Sequence, residues 1–357
     1  MKKFAVFSGF LGSGKTTAMM TLTKYFTEHH GKAAMISNDL GGEGLADNRL
    51  AALNDCRASE LTGACICYQT ENLVARLKEL FEDGGCELVL SDIPGFGVGA
   101  LDHVYHTLDR EFPGQFPLAP FTVLAEPERV ASLMEENGGE LSYILGSQLA
   151  EADLIVLNKC DLLTREEKQD YLDFLSRRCP DAAVIGISAL TGEALEALSQ
   201  QLIQGSASMR RPDIGYGSAE FLSAMGKFSE YNSQYYAIVC CDTFDGNAYL
   251  KDLADKIAED IRNVPGEIPH LKLLAWEPQG DYGKVDLLGT QRPVEVSREF
   301  LHPCQELAVV LNTSAMCPSK TLGTLITTAI ETVSEAYKLS IMVYKKECFG
   351  AMEDANG

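Results

Sequence analysis

Apolar and polar positions alternate in two rhythms along the N-terminal half of the chain. Short, mostly apolar runs at Lys3–Phe7, Ala33–Ser37, Glu87–Ser91, Phe121–Leu124, Leu154–Leu157 and Ala183–Gly186 read as buried strands. Between them, apolar residues recur at helical spacing, as Met19, Leu22 and Phe26 do from Thr17 to His29. Thr164 followed by Glu167 makes a capping box for a helix through Arg177. Strands alternating with helices predict an α/β domain with a mostly parallel sheet over residues 1–204.

From about Gly205 to Ser233 the pattern lapses. This stretch is rich in Gly, Ser and Arg, carries Arg210-Arg211-Pro212, and reads as a linker (205–233) with a short helix around Phe221. A smaller domain (234–348) follows. Strands are expected at Tyr235–Cys241, Leu271–Trp276, Lys284–Leu288, Leu307–Asn312 and Ser340–Lys345, with helices at Ala248–Arg262 and Lys320–Tyr337. That order suggests an α+β sandwich of the ferredoxin-like kind, with residues 349–357 left as a tail. There is no internal repeat and no low-complexity tract.

Composition narrows the functional classes. With 357 residues, 46% of them apolar, the chain has room for two cores. No apolar stretch approaches the ~18–20 residues needed to span a bilayer, and the N-terminus runs directly into a strand. A cytoplasmic location is therefore expected. A formal net charge of −21 argues against attraction to nucleic acid or to an anionic membrane. Most of the eleven cysteines stand singly among apolar residues, as Cys86, Cys179, Cys240 and Cys241 do, and read as small core residues.

Chemistry enters at Gly9-Phe10-Leu11-Gly12-Ser13-Gly14-Lys15-Thr16-Thr17, a complete phosphate-binding P-loop between a strand and a helix. Gly9, Gly12, Ser13 and Gly14 let backbone N–H groups turn inward around a triphosphate, and the helix beginning near Thr17 adds its partial positive charge. Lys15 would reach the β- and γ-phosphates, and the Thr16 hydroxyl would ligate magnesium. Asn158-Lys159-Cys160-Asp161 follows the strand Leu154–Leu157, where a base-reading element belongs. The two carboxylate oxygens of Asp161 match the N1–H and 2-amino donors of guanine; adenine offers neither. Asn158 and Lys159 would brace the base and the P-loop, and Ser188-Ala189-Leu190 would complete the pocket by backbone contacts. GTP is the favoured nucleotide.

Asp92-Ile93-Pro94-Gly95 ends another strand, so Asp92 can hold magnesium through water and Gly95 can present its N–H to the γ-phosphate. Gly95-Phe96-Gly97-Val98-Gly99 outwardly suggests a dinucleotide turn, but a mobile switch explains it better once the phosphate site is assigned. Asn38-Asp39-Leu40-Gly41-Gly42-Glu43-Gly44 is the other switch candidate; Asp39 or Glu43 could approach magnesium once GTP orders the loop, and a plain acidic turn explains either residue, taken singly, nearly as well.

Cys65 and Cys67 can meet one soft or borderline cation such as zinc, cobalt or nickel. Two thiolates do not make a tight site, so Cys56, a histidine or a second protomer would have to complete it; chance pairing is the competing reading. Cys304 and Cys317, flanking the strand Leu307–Asn312, form a weaker accessory candidate, with core or surface packing the favoured reading. Cys317 lies at a helix start, where a thiol pKa falls. His103 and His106, three apart, could share a ligand or simply face solvent.

Taken together, these residues resemble the CobW-type GTPases, metal chaperones related to the urease and hydrogenase nickel-insertion GTPases. The resemblance covers roughly residues 1–200 and rests on Gly9–Thr17, Asn38-Asp39, Glu60–Cys67, and Gln148-Leu149-Ala150-Glu151-Ala152-Asp153 leading into Asn158-Lys159-Cys160-Asp161. It implies transition-metal ligation by Cys65 and Cys67, GTP hydrolysis coupled to metal delivery, and a client protein. Two positions depart from the family pattern. Tyr68 stands where a third cysteine is usual, and Asp92-Ile93-Pro94-Gly95 stands where a glutamate followed by small hydroxyl residues is common.

The leading expectation is a magnesium-dependent GTPase, slow without an activator, that captures or releases a transition metal for a client metalloenzyme. Two Cys65/Cys67 pairs could complete a four-thiolate site across a homodimer axis. The alternatives are a metal-free GTPase chaperone for a cofactor-dependent enzyme, such as a corrinoid-dependent one, and a nonhydrolysing GTP-dependent binding module. A small-molecule kinase is more distant, since no acceptor site is visible.

Overall fold

The computed structural model describes residues 2–38, 51, 56–62, 64–135, 139–240, 242–264, 270–289 and 292–350. They form two compact units that divide between Ala224 and Met225.

The first unit is built on a seven-stranded sheet of β1 (Lys3–Gly9), β2 (Ala33–Asn38), β3 (Ala58–Leu61), β4 (Leu88–Asp92), β5 (Thr122–Ala125), β6 (Leu154–Leu157) and β7 (Ala183–Gly186), in the order β3-β2-β4-β1-β5-β6-β7. Every pairing within it is parallel. β1 lies between β4 and β5 and is buried along its whole length, so its sequence is a nearly unbroken apolar run. The Lys15–His29 helix buries Ala18, Met19, Leu22 and Phe26 along one face, in a core that also contains Phe7, Met35, Leu90, Leu198 and Leu202. The capping box at Thr164 and Glu167 is present, each residue bonding the other's backbone. Parallel pairing brings the C-terminal strand ends to one edge, where open α/β sheets bind ligands.

β3 was not visible in the sequence. Ala58-Ser59-Glu60-Leu61 has no apolar alternation, and its half-exposed residues form a strand because β2 offers an open edge to pair with.

The second unit is a six-stranded antiparallel sheet of β8 (Ser229–Ile238), β9 (His270–Trp276), β10 (Tyr282–Leu287), β11 (Glu295–Arg298), β12 (Glu306–Ala315) and β13 (Ser340–Gly350), ordered β11-β10-β9-β12-β8-β13. With the helices Gly246–Arg262 and Ser319–Ala336, strands β8, β9, β12 and β13 form the ferredoxin-like β-α-β-β-α-β unit, extended at one edge by β10 and β11. Both helices pack on the same core as Tyr231, Tyr235, Leu273, Val309 and Leu311.

β8 reaches back into the stretch read from sequence as a linker, and the helix Ala219–Met225 precedes it. Ser229, Glu230, Asn232 and Ser233 look like loop residues, yet this strand pairs on both sides, with β12 and β13. Two of its polar side chains accept bonds within the sheet, Asn232 Oδ1 from Asn312 at 2.6 Å and Glu230 from Ser314 at 2.5 Å. β13 continues to Gly350, five residues beyond the expected Lys345; the rest of the tail lies outside the described residues.

Candidate functional site

The candidate nucleotide residues gather at the C-terminal ends of β1, β2, β4, β6 and β7. β1 ends at Gly9, and the loop Phe10–Gly14 turns into the helix that begins at Lys15. Gly14 caps that helix in the left-handed region, at φ 87°. A Cβ there would lie 2.4 Å from Asn158 Nδ2, so only glycine lets the Asn158 amide reach the loop. Lys15 Nζ donates to Gly9 O at 2.6 Å, which folds the ammonium over the loop's own backbone. Ser13 Oγ is buried in the loop without a hydrogen-bond partner. Thr16 and Thr17 occupy the first turn of the helix.

Asn158 ties two of the candidate nucleotide elements together. Its Nδ2 donates to Ser13 O at 2.9 Å, and its Oδ1 accepts from Ala189 N at 3.0 Å. The P-loop and the Ser188–Leu190 loop are thus joined through one buried amide. Ala189 O accepts from Thr21 Oγ1 at 3.1 Å, while Leu190 faces solvent. Asp161 is exposed, with one carboxylate oxygen taken by Ser188 Oγ at 2.5 Å. Lys159, held in the left-handed region at φ 61°, donates to Glu126 Oε2 at 2.7 Å. Glu126 is buried at the tip of β5 and had escaped the sequence reading. The signal was there, an acid at a strand end as at Asp92.

Asp92 ends β4 and is buried. Its Oδ1 accepts the backbone N–H of Asn38 at 2.9 Å. Thr16 and Asp92 offer a hydroxyl and a carboxylate, the hard oxygen donors that suit magnesium. Asp39 lies outside the described residues, as does Glu43. Gly95 stands against the P-loop, since a Cβ on it would come within 2.9 Å of Leu11 N. Two side chains of the Glu140–Glu151 helix hold the segment that follows. Gln148 Nε2 donates to Gly95 O and Gly97 O, both at 3.0 Å. Glu151 accepts from Gly99 N at 2.9 Å and Leu101 N at 3.0 Å. Burial raises the Glu151 carboxyl to about 7, against the lowering effect of those two amides.

The thiol pair sits on the short 3₁₀ turn Ile66–Tyr68, which Cys65 caps by accepting from Cys67 N at 3.4 Å. The sulfur atoms are 3.0 Å apart. Asn38 fixes this loop: its Nδ2 donates to Leu61 O and Ala64 O, at 3.2 and 2.9 Å, and its Oδ1 accepts from Ile66 N at 2.9 Å. The bond with Cys65, then burial, then the charges of Cys65 and Glu151 hold the Cys67 thiol well above its ordinary range. Among the described residues, no third His, Cys, Asp or Glu completes a metal-binding group with this pair. Cys56 is instead part of the core beside Met19 and Phe26. Tyr68 is exposed and hydrogen-bonded to Tyr216 at 3.0 Å; the His103 ring lies 5.9 Å from Tyr68 and 5.1 Å from Tyr216. His106 is buried and bonds Arg210 O at 3.1 Å, so the two histidines do not act as a pair.

Cys304 and Cys317 follow the packing reading rather than the accessory-site one. Burial raises the Cys317 thiol rather than lowering it, and lifts Cys304 to about 12. Desolvation outweighs the helix start because both residues lie in the core of the second unit.

The sequence pattern of the CobW/HypB/UreG nucleotide-binding domain matches residues 3–185. The zinc chaperone YeiR of Escherichia coli strain K12 is 28% identical over 174 residues, 47% of this chain and 50% of that protein. The chain therefore spans about half the length of this curated relative. HypB from Helicobacter pylori in complex with nickel aligns with a TM-score of 0.42 and 17% identity, over 57% of this chain and 89% of that one. The Zn(II)-bound YjiA GTPase from E. coli aligns with a TM-score of 0.38 and 14% identity, over 92% of this chain and 98% of that one.

Proposed function

The chain belongs to the CobW/HypB/UreG family of nucleotide-binding proteins, and from that premise we propose that it is a magnesium-dependent GTPase coupling nucleotide state to transition-metal delivery. The observation that carries this reading is the double engagement of Asn38. Its backbone reaches Asp92 on the magnesium side, and its side chain grips the loop of Cys65 and Cys67. A change at the phosphates would be felt at the thiols through one residue.

In this reading Gly9, Gly12, Ser13, Gly14, Lys15 and Thr17 cradle the phosphates, and the orphaned Ser13 hydroxyl gains a partner. Thr16 and Asp92, joined by Asp39, would hold the magnesium ion, which supplies positive charge beside the β- and γ-phosphates. Asp161 reads guanine while Ser188, Ala189 and Leu190 wall the base; Asn158 and Lys159 hold that wall to the P-loop. Water attacks the γ-phosphorus, the bond to the β–γ bridging oxygen breaks, and GDP and phosphate leave. Lys15 and the Gly95 amide stabilise the charge that develops. Cys65 and Cys67 carry the cargo, with zinc, cobalt and nickel as the ions that suit two thiolates. The client is a metalloenzyme in the cytoplasm, and a second copy of the chain would supply further thiolates.

A second reading, a GTPase chaperone for a cofactor-dependent enzyme without metal cargo, is favoured by one observation. Tyr68 is no ligand for a soft cation, and the described residues bring no third donor to the pair.

Anaerobic titration of the purified protein with zinc, cobalt and nickel, with and without magnesium–GTP, separates the two. Tight, nucleotide-dependent binding that disappears in Cys65→Ser supports delivery of metal. Equal, weak binding by the wild type and by Cys65→Ser/Cys67→Ser turns the case to the metal-free chaperone.

A further inference from the structure

Gly95 reaches the P-loop from a segment with no regular structure, and the Gln148 and Glu151 side chains supply much of what holds it. One helical turn separates the two residues, so they share a face of the Glu140–Glu151 helix. Between them they engage four backbone groups: Gly95 O, Gly97 O, Gly99 N and Leu101 N. Both side chains are buried, which is costly for a carboxylate and an amide alike. Gln148 Oε1 moreover has no partner, a cost that a leucine filling the same space would avoid. Packing alone does not require these two polar residues. Their donors and acceptors match the loop backbone instead.

We propose that Gln148 and Glu151 are positioning residues for γ-phosphate recognition, a clasp on a rigid helix that sets where the Gly95 amide stands. The inference rests on the GTP reading above. It adds that discrimination between GTP and GDP depends on residues that touch neither nucleotide. Gln148 fixes the carbonyls flanking Phe96, and Glu151 fixes the amides where the segment enters the Leu101–His106 turn. With the clasp intact, the loop stands against the P-loop before nucleotide arrives, and little ordering remains to be done on binding.

The test is the ratio of GDP to GTP dissociation constants, measured with a nonhydrolysable GTP analogue for the full chain, its Gln148→Leu variant and its Glu151→Gln variant. Gln148→Leu should lower the preference for the triphosphate at least tenfold and leave GDP affinity within threefold, since the base and the α- and β-phosphates are held elsewhere. Glu151→Gln keeps the volume and one acceptor, so a loss of about threefold is expected; it serves as the readout if Gln148→Leu does not fold. A folded variant that keeps the wild-type ratio overturns the clasp. A wild type that binds no guanine nucleotide overturns the GTP reading itself, and a wild type that binds both nucleotides equally overturns the clasp alone.

Discussion

The backbone N–H of Asn38 donates to Asp92 Oδ1 at 2.9 Å, joining the tips of β2 and β4. From the same residue the side chain makes three bonds to the loop, with Leu61 O, Ala64 O and Ile66 N. One residue at the tip of β2 therefore touches both the Asp92 carboxylate and the loop that carries Cys65 and Cys67.

Replacing Asn38 with alanine keeps the bond to Asp92 and removes the grip on the loop. Net hydrogen-bond contributions of ~0.5–1.5 kcal/mol for each of the three bonds put the loss at about 1.5–4.5 kcal/mol of stability. Urea unfolding should show that loss, and zinc titration should show weaker binding that no longer responds to GTP. Retention of the nucleotide response in Asn38→Ala would sever the proposed coupling route.

Gly14→Ala tests the P-loop geometry. The residue has φ 87°, and the new Cβ would stand 2.4 Å from Asn158 Nδ2. Left-handed strain of ~1–3 kcal/mol is added to a broken tie between the P-loop and the base-reading loop. Guanine-nucleotide affinity should fall at least tenfold by fluorescent-nucleotide titration, with the fold intact by circular dichroism.

Asp161→Ala removes the proposed guanine contact and the partner of Ser188 Oγ. GTP affinity should drop about tenfold or more, and the preference for GTP over ATP should collapse. An unchanged preference in competition binding rejects the assignment of guanine to Asp161.

Stability should carry the imprint of Glu151. Its carboxyl is raised from 4.5 to about 7 by burial, so between those values the native protein keeps a proton that the unfolded chain has released. The contribution is fully present below about 4.5 and is lost as pH rises through about 7, on the order of 3 kcal/mol for the whole shift. Denaturant unfolding at about pH 5 and pH 8 should show wild type falling relative to Glu151→Gln as pH rises. Parallel pH profiles for the two proteins would contradict this.

Zinc binding should release protons. The Cys67 thiol is held well above its ordinary range by Cys65 and by burial, so it is protonated at neutral pH, and only the thiolate ligates. Apparent zinc affinity should rise about tenfold per pH unit for each proton displaced, between roughly pH 6.5 and 7.5. Titration calorimetry in buffers of different ionisation enthalpy counts those protons.

Much of the candidate site was legible because its parts are short and contiguous. The P-loop declares itself through glycines and a lysine at set offsets, and Asn158–Asp161 through its place after a buried strand. Legibility failed where structure depends on a neighbour. Ser229–Ser233 is a strand because β12 and β13 pair with it on either side, and nothing in its own polarity says so. For Cys317 the sequence offered two opposed influences, a helix start and core packing, and the core around it decides the direction.

By itself the sequence determined the alternation of strands and helices, the presence of a phosphate loop, and the family. These follow from local periodicity and from the backbone freedom of particular glycines, which act over a few residues. Only the tertiary structure decided which groups meet. Lys159 finds Glu126 33 positions away, Gln148 finds Gly95 53 positions away, and Asn158 finds Ser13 145 positions away. Periodicity states which face of an element is buried but not which element lies beside it. In a parallel sheet that is settled by strand order, and here the order β3-β2-β4-β1-β5-β6-β7 brings these distant residues to one edge.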